Sequence, residues 1–572
     1  MRDKLTPVVF YVILFTLLVL EGWAVPAGRT ISFHLLLFAP LILFIIALAA
    51  DKPTMIVPYR ISVTILLLFI IISVGTLFSV NIQRAFEHQL LYISLSLVTL
   101  FAYTYQEKLV KGFPLFILIS SISTSIYTIF IRYIAPDNLL FLKAPLPYQF
   151  VNYISDIGHD TFGAFVLIPL SYLLVYILYK PSRMTIAAFV ALFSALALSF
   201  LRAGYISLIL VFIFVNKLQP VGLKKRYFYL GGILLIICFI LLSNIAGYIP
   251  GLSSLHNIVI EKAELGYKKS TFATRTRIIE QAIDSIRDHP LTGIGSFNYS
   301  FASMQYARNI ATVMGSSHNM ILDSAVENGL PASVLVIISM TMLLSAAFKN
   351  SKTGTINQKG IFAVLLSLLV LFQFSHYHKL YFLLTLFFVC GALLYREKKE
   401  IVINQKWILT LTLLLAIVNI HIITAKVALQ NKHPEGALAL YPIYQQAYQS
   451  AAVDAYARQD IQTTRTYLQK YARLYSRDPF ALEFIGFVYK SMPDDEKALI
   501  YYTTAHTRAP YELTYVREIF DLTEKVYDRS IAERWICDYL GKTHIVRENP
   551  YDDDVEIFLT WYRQKGLACN EN

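Results

Sequence analysis

The sequence predicts an all-α polytopic membrane protein of about 12–13 transmembrane helices, with a large extracytoplasmic loop and a C-terminal soluble domain of tetratricopeptide-like helical repeats. Of its 572 residues, 56% are hydrophobic and only 15% are charged. Apolar runs of about 17 to 23 residues recur along the chain, and each is long enough to cross a hydrocarbon layer of about 30 Å. The C-terminal part lacks such runs and instead has the spacing of paired helices.

The formal net charge of +12 comes from the part of the chain that contains the apolar runs. Residues 1–424 hold 32 Lys and Arg against 17 Asp and Glu, whereas residues 425–572 hold 18 against 21. The basic excess lies between the apolar runs, as in the cytoplasmic loops of membrane proteins. The charge therefore indicates membrane orientation and not a nucleic-acid partner.

Thirteen apolar runs are predicted to span the membrane, and the first is expected to be retained because it is longer than a signal-peptide core. The basic loops all fall on the side of the N-terminus, provided that residues 184–219 form a helical hairpin and not one long helix. The N-terminus is therefore predicted to be cytoplasmic. The predicted spans are residues 7–25, 31–50, 61–80, 86–104, 113–134, 161–179, 184–201, 203–219, 227–244, 331–349, 360–377, 380–395 and 407–424.

The same alternation defines two domains. It places the polar connections 135–160 and 245–330 outside, together with everything after the last span. We therefore predict a transmembrane domain, residues 1–424, whose outer loop 245–330 carries the candidate site. Residues 425–572 are predicted to form an extracytoplasmic domain.

The tail carries one good match to the tetratricopeptide template, which begins at Pro479. The flanking segments match less well, but one repeat cannot bury its own apolar face, so two or three stacked helical pairs are expected. Such a module is typical of a spacer or of a docking surface for a protein partner. The matching residues are Leu482, Gly486, Tyr489, Ala498, Tyr502, Ala505 and Pro510.

None of the four cysteines has the spacing of a metal site or a redox motif. Cys238 and Cys390 fall in apolar runs, whereas Cys537 and Cys569 lie in the tail. The sequence leaves open whether the two tail cysteines pair.

An amphipathic helix is predicted in the outer loop, in the segment STFATRTRIIEQAIDSIRDHP. Arg275 lies in line with its apolar stripe, whereas Arg277 shares the other face with a solvated charge ladder. Arg275 is also near the helix N-terminus, where the dipole disfavours a cation unless an anion is close. We therefore predict an anion partner for Arg275; the alternative is an arginine whose head lies at the lipid interface. The stripe contains Ile278, Ile279, Ala282, Ile283 and Ile286, and the ladder contains Glu280, Asp284 and Arg287.

The residues after this helix predict where it ends and where the chain turns. Pro290 is predicted to stop it, and Gly293 and Gly295 are predicted to form a flexible turn. The Gly-x-Gly pair is too short to be a dinucleotide-binding fingerprint.

Arg202, in SFLRAGYISL, is the only charged residue between Arg183 and Lys217. An arginine at the membrane threshold costs about 2.5 to 3.5 kcal/mol on insertion scales, so it suggests a function. Its planar guanidinium suits bidentate capture of phosphate oxygens. The alternative is an interfacial anchor.

His318 follows Gly-Ser-Ser and opens a predicted short outer helix that Gly329 ends before Pro331 opens the next span. The helix dipole and nearby arginines are expected to lower the pKa of His318 and keep it a neutral proton acceptor near pH 7. A structural histidine is the alternative. Glu327 and Asp323 are predicted to brace this helix against a neighbour, with an arginine as the candidate partner of Glu327.

Three other residues are predicted to bind substrate. Arg84 is outside by the alternation of loops and could join an anion site, although a surface arginine is the simpler interpretation. His159, beside Asp160 in DIGHDTFGAF, could line the acceptor route. Asn319 adjoins His318.

His376 and His378 have the spacing of a metal-ligand pair, but no third ligand is evident. An interfacial cluster with Tyr377 and Tyr381 is therefore the preferred interpretation. No metal site is predicted.

The assembled motifs resemble the bacterial O-antigen ligase and polymerase family. The likeness rests on SFLRAGYISL, TRTRIIEQAIDSIRDHPLTGIGSFNY and SSHNMILDSAVENGLPASVL, and it extends over about residues 1–424. The repeat tail is an appendage of some such proteins. In GHDTFGAF the family more often has an asparagine near the histidine, so no role is carried onto Asp160.

The resemblance implies an inverting glycosyltransferase of the bacterial inner membrane that needs neither metal nor cofactor. Its donor would be a glycan on polyprenyl pyrophosphate, such as undecaprenyl pyrophosphate, and its acceptor a lipid or protein at the cell surface. Arg202 and Arg275 would neutralise the pyrophosphate leaving group. His318 would orient or deprotonate the acceptor hydroxyl.

The residues leave several functions open. A ligase that serves a cell-surface acceptor is favoured over a polysaccharide polymerase or a protein O-oligosaccharyltransferase of the same family. A polysaccharide flippase is the non-enzyme alternative, but transporters place charges near the midplane and show internal repeats. Here the unusual charges gather at the outer face.

Overall fold

The protein is described by a computed structural model covering residues 2–23, 27–49, 55–129, 148–198, 201–218, 271–307, 314–543, 553–567 and 569. Within these ranges, the part that contains the apolar runs is helical apart from one strand pair and the loops between elements. Its helices are α1 (Arg2–Trp23), α2 (Ala27–Ala49), α3 (Tyr59–Leu77), α4 (Ile82–Thr104), α5 (Gln106–Ile129), α6 (Tyr148–Tyr179), α7 (Arg183–Leu198), α8 (Arg202–Leu218), α9 (Thr271–Asp288), α10 (Tyr299–Gln305), α11 (Met320–Thr353), α12 (Ile356–Phe374), α13 (Tyr381–Leu394) and α14 (Gln405–Gln430). A 3-10 turn, His376–Lys379, joins α12 to α13.

The described residues are mostly helical, which agrees with the predicted all-α multi-pass membrane protein, and the count of 12–13 spans stays a prediction. Among the described residues, six helices are long and apolar enough to cross a membrane, and five shorter apolar helices accompany them. Twelve of the thirteen predicted spans fall on helices. The ninth, residues 227–244, lies outside the described residues, as does the first part of the predicted outer loop.

The predicted hairpin at residues 184–219 is confirmed as two helices. The first, α7, ends at Leu198, and α8 begins at Arg202. Near the turn, the Tyr205 hydroxyl lies 3.5 Å from the carbonyl oxygen of Leu196.

A two-stranded sheet joins two of the basic loops and was not predicted. Strand β1 (Met55–Pro58) pairs antiparallel with β2 (Glu400–Ile403), and Arg60 forms an ion pair with Glu397 at 3.5 Å. Four-residue strands are too short to show a periodic pattern in the sequence. Both loops had been assigned to the cytoplasmic side, so the pairing agrees with the predicted alternation.

The strand pair and the tail lie at opposite ends of the helices. At the end of α4, Thr104 lies 3.4 Å from the backbone nitrogen of Ile56 in β1. At its start, Asn81 contacts Asp478 of the tail. We call the second end the tail face. The tail face includes the α3–α4 turn. The segments that bond to Glu327 and Lys379 lie next to this turn and belong to the same face.

The tail consists of helical pairs at a regular interval. First helices begin at Gln445, Pro479 and Leu513, so that 479 − 445 = 34 and 513 − 479 = 34, the length of a tetratricopeptide repeat. Helix α22 covers the last pair, and a disulfide joins Cys537 to Cys569. The tail helices are α15 (Pro434–Leu440), α16 (Gln445–Ala457), α17 (Ile461–Leu474), α18 (Pro479–Ser491), α19 (Asp495–Arg508), α20 (Leu513–Val526), α21 (Arg529–Thr543) and α22 (Asp553–Gln564).

The tail packs directly on the membrane domain through two joined helix caps. Asn81 caps α4, and its side-chain nitrogen donates to Asp478 at 2.8 Å and to Gln445 at 2.9 Å. Asp478 in turn caps α18. The Phe301 and Phe480 rings lie 6.2 Å apart beside this junction. The tail is therefore attached to the tail face by buried polar contacts as well as by the chain itself.

We expect the unfolding free energy of the tail to decrease as the pH falls from 6.5 towards 4, with His506 as a cause. This side chain lies against the rings of Trp535 and Tyr539, and burial lowers its pKa from 6.5 to about 4. In this window the unfolded chain binds the proton more readily, so acid favours unfolding by up to about 3 kcal/mol. Above pH 6.5 the imidazole is neutral in both states and the cost disappears.

Thermal unfolding of the purified protein, followed by tryptophan fluorescence from about pH 4 to 8, measures this dependence. The variant His506→Phe keeps an aromatic ring and should show a flatter pH dependence. Equal slopes for the two proteins would contradict the assignment.

Candidate functional site

The described part of the outer loop packs as a small apolar cluster on the tail face. Helix α9 contributes Ile278 and Ala282, α10 contributes Tyr299, and α11 contributes Val326, all of them buried. As predicted, α9 ends just before Pro290 and the first segment of α11 ends at Gly329, whose φ is +82°. This cluster fixes the elements that carry the candidate residues.

The glycine turn after α9 is packed tightly and is not the flexible turn that we expected. The backbone nitrogen of Gly295 donates to the Glu327 carbonyl at 2.8 Å, and that of Leu330 donates to the Pro290 carbonyl at 2.8 Å. A Cβ on Gly293 would approach the Glu327 carbonyl to 2.4 Å, and its φ is +63°. Glycine is needed here because the turn lies directly against the break in α11.

The predicted buried face of α9 is right for Ile278, Ala282 and Ile286 but wrong for two other members of the stripe. Ile279 and Ile283 are exposed, whereas the buried side contains Ile278, Ala282 and small or polar residues. Arg275 is exposed and Arg277 is half-buried, the reverse of the prediction. The reason is that α10 and α11 pack against the side of α9 that carries small side chains. Ile279 and Ile283, on the neighbouring side, therefore remain exposed.

His318 lies in a constrained turn immediately before α11. Its φ is +59°, and its backbone nitrogen donates to Ser316 Oγ at 3.0 Å. Its ring is half-buried and makes an edge-to-face contact with the His376 ring at 5.6 Å. The helix starts two residues later than predicted, because Asn319 is the cap.

The electrostatic surroundings keep His318 neutral near pH 7. Burial lowers its pKa below 6.5, and the positive charge of Arg275 lowers it further, while Asp323 opposes the shift. The direction agrees with our expectation, but the main cause is burial and not the helix dipole. Arg275 is thus close enough for its charge to act on His318.

Asn319 is engaged by the protein itself. Its side-chain oxygen accepts from the Leu322 backbone nitrogen at 2.9 Å, and its side-chain nitrogen donates to the Gln373 carbonyl at 3.2 Å. Both halves of the amide are therefore used to cap α11 and to hold it against α12. Asn319 therefore has a capping role, and its predicted contact with substrate stays a prediction.

Glu327 and Asp323 brace α11 against the 3-10 turn, but the partner is a lysine and not the arginine that we expected. Lys379 Nζ lies 2.9 Å from Glu327 Oε1 and 3.5 Å from Asp323 Oδ2. His378 Nε2 lies 2.9 Å from Asp323 Oδ2. All four side chains are buried.

Sequence reasoning missed Lys379, although a signal was present. The segment SHYHKLYF has a cation directly after an apolar run, on the side that the alternation of loops places outside. We had assigned His378 and Tyr377 to a lipid-interface cluster, yet both are buried within the protein. His378 belongs to the ion cluster around Asp323.

Helix α8 runs antiparallel to α12. Ser207 Oγ lies 3.4 Å from the Ser367 carbonyl oxygen, and further along α8 the Phe214 ring contacts Phe348, which also contacts Phe362. The start of α8 is therefore level with the end of α12, which leads into the 3-10 turn.

Arg202 is the first residue of α8, so its backbone lies at the same end of the bundle as His318. The side chain of Arg202 lies outside the described residues. His159 lies within α6, and its side chain is likewise outside the described residues. The substrate-binding role of His159 stays a prediction.

Arg84 lies at the seam between the loop and the tail. Its guanidinium is exposed, 4.9 Å from the centre of the Phe301 ring, with Nη1 3.4 Å from Ser300 Oγ. Phe301 also contacts Phe480 of the tail. Arg84 is therefore held against α10, and its role as a substrate contact stays a prediction.

Among the residues that the structure describes, no group of three or more His, Cys, Asp or Glu is arranged to hold a metal ion. His376 contacts His318, whereas His378 bonds to Asp323. The two members of the H-x-H pair thus have different partners.

The site thus contains the neutral imidazole of His318 and the exposed guanidinium of Arg275, whose charge lowers the pKa of that imidazole. It also contains the buried ion cluster around Lys379. An imidazole in this state can accept a proton, and a guanidinium can stabilise a departing phosphate.

Residues 186–337 match the family model described as O-antigen ligase (Wzy_C). The match runs from α7 into α11 and includes Arg202, Arg275 and His318, and over this stretch it confirms the resemblance drawn from the motifs. It supports the O-antigen ligase family and, at the level of the family, glycosyl transfer of the ligase or polymerase type at a membrane. A search of curated proteins gave no match.

Proposed function

From the match of residues 186–337 to the O-antigen ligase family, we propose that the protein transfers a glycan from polyprenyl pyrophosphate to a cell-surface acceptor. The transfer inverts the anomeric centre and needs no metal. The observation that carries the proposal is a half-buried histidine in a constrained turn of the matched stretch, which burial and the charge of Arg275 keep neutral.

The proposed reaction is a direct displacement. The acceptor hydroxyl oxygen attacks the anomeric carbon, a new C–O bond forms there, and the bond from that carbon to the pyrophosphate oxygen breaks. The bonding electron pair leaves with the pyrophosphate, whose charge Arg202 and Arg275 neutralise. His318 accepts the hydroxyl proton.

We also propose that the tail face is extracytoplasmic and that the protein resides in a bacterial inner membrane. The tail disulfide supports this, because disulfides persist in oxidising compartments. The basic loops around the strand pair, at the other end of the helices, are typical of a cytoplasmic side. The 34-residue interval supports a tetratricopeptide-like tail that offers a docking surface to a protein partner.

The test is glycan transfer by purified protein from a polyprenyl-pyrophosphate donor. Lipid, protein and lipid-linked repeat-unit acceptors are run in parallel, each with and without a chelator. We expect a glycosylated lipid acceptor and unchanged rates with the chelator. Exclusive elongation of repeat units would identify a polymerase, and no transfer to any acceptor would contradict the proposal.

A further inference from the structure

We propose that Lys379 is a positioning residue that holds the turn carrying His318 in place for the reaction. The expected effect on catalysis rests on the proposed function. The effect of Lys379 on the position of His318 can be tested without any glycan. The argument concerns what the lysine binds and what those partners hold.

Lys379 ties together two segments that are far apart in sequence. Its Nζ donates to the Gly315 carbonyl at 2.7 Å and to Glu327 Oε1 at 2.9 Å, and it lies 3.5 Å from Asp323 Oδ2. An ammonium group has three protons, and these three acceptors match that number. The lysine thereby fixes the start of the His318 turn against α11.

Asp323 carries the restraint to the two residues that precede His318. It accepts from Ser316 Oγ at 2.6 Å and from the Ser317 backbone nitrogen at 2.7 Å. Ser316 Oγ also accepts from the backbone nitrogen of His318. The two serines before His318 are thus bonded to one carboxylate, which Lys379 holds.

The turn needs such a restraint because His318 is in the left-handed region, with φ of +59°. For a residue with a Cβ this conformation is unfavourable and persists only where the surroundings over-determine it. Without the anchor, the turn can relax and carry the imidazole away from its working position.

Lys379 also connects the turn to the helix on which the tail rests. Glu327 Oε1 accepts from the backbone nitrogen of Tyr299 at 3.3 Å, at the start of α10. The ammonium lies 5.2 Å from the Phe297 ring centre and 5.5 Å from that of Tyr299. The cluster is therefore the point where α10, α11 and the 3-10 turn meet.

A positioning role fits Lys379 better than a catalytic one. Burial lowers its pKa, but the charges of Glu327 and Asp323 more than offset this and hold the pKa above its ordinary value. The lysine is 8% exposed, and its protons are directed to the protein. It stays charged and does not offer a proton to substrate.

The test compares Lys379→Met with Lys399→Met in the purified full chain. Lys399 is exposed, lies over the Tyr59 ring at 3.9 Å and sits at the opposite end of the helices, so it is the matched control. Misplacing a catalytic group by about 1 Å can cost about 10²-fold in rate, so kcat should fall by about that factor in Lys379→Met. The KM for the donor should change less than about threefold, because the arginines remain.

A second readout does not depend on glycan transfer. The rate at which diethyl pyrocarbonate modifies His318, measured by peptide mass spectrometry, should change in Lys379→Met and stay as in wild type in Lys399→Met. If the wild type transfers no glycan, the proposed function fails, yet this comparison still decides the positioning role. An unchanged modification rate in Lys379→Met would overturn it.

A double variant separates positioning from folding. Lys379→Met leaves two buried carboxylates without a cation, whereas Lys379→Met with Glu327→Gln restores the net charge of the cluster. We expect the double variant to recover thermal stability but not kcat, because the bond to Gly315 is still absent. Recovery of kcat in step with stability would overturn the proposal.

Discussion

Replacing His318 with alanine is expected to lower kcat by about 10²- to 10⁴-fold, because the acceptor hydroxyl loses the group that takes its proton. Burial and the charge of Arg275 lower the pKa of this imidazole and keep it neutral near pH 7. The measurement is initial rate of glycan transfer by purified protein. The control is His433→Ala, which removes an exposed histidine at the start of α15 that makes no capping bond.

The pH profile adds a test that a merely structural histidine would not pass. A base must be deprotonated to work, and the pKa of His318 lies below its ordinary value of 6.5. The rate of the wild type should therefore be level near pH 7 and above, and should fall only at a pH below 6.5. Full activity in His318→Ala would remove the histidine from the mechanism.

Replacing Arg275 with alanine is expected to lower kcat/KM by about 10²- to 10³-fold, the usual cost of losing one group that stabilises a developing charge. Arg275→Lys keeps the charge but not the planar pair of donors, so it should retain part of the activity. The matched control is Arg287→Ala on the same helix, where Arg287 is exposed and forms an ion pair with Asp284 at 3.3 Å. Equal rates for Arg275→Ala and Arg287→Ala would contradict the role.

Arg275→Ala should also change the pH profile in a defined direction. The charge of Arg275 lowers the pKa of His318, so its removal should raise that pKa and move the acid limb of the residual rate to higher pH. Arg287→Ala should leave the limb where it is. The shift would connect the two residues independently of the size of the rate loss.

Much of the candidate site follows from local sequence signals. The break at Gly329, the stop before Pro290 and the hairpin with Arg202 at the start of its second helix were all predicted from residue types. Each of these features depends on the backbone preferences of a few neighbouring residues. Those preferences follow from the residue types alone. The lowered pKa of His318 was also predicted, although its main cause is burial.

The errors concern contacts between distant segments. Helical periodicity places Ile279 and Ile283 on the buried side of α9, but the packing of α10 and α11 leaves both exposed. The bond from Asn319 to a carbonyl 54 residues away was not predicted. The sequence predicts an arginine as the partner of Glu327, but the residue that pairs with it is a lysine 52 residues away.

The sequence by itself determined that this is a multi-pass helical membrane protein with paired tail helices and that Arg202, Arg275 and His318 are its candidate residues. The length of the apolar runs, the charge of the loops and the residues that begin and end helices are local properties. They can therefore be predicted from the sequence alone. Only the tertiary structure decided that Lys379 anchors the His318 turn and that Asn81 joins the tail to the membrane domain. Those roles depend on which buried polar groups meet, and each such group must find a partner wherever the fold supplies one.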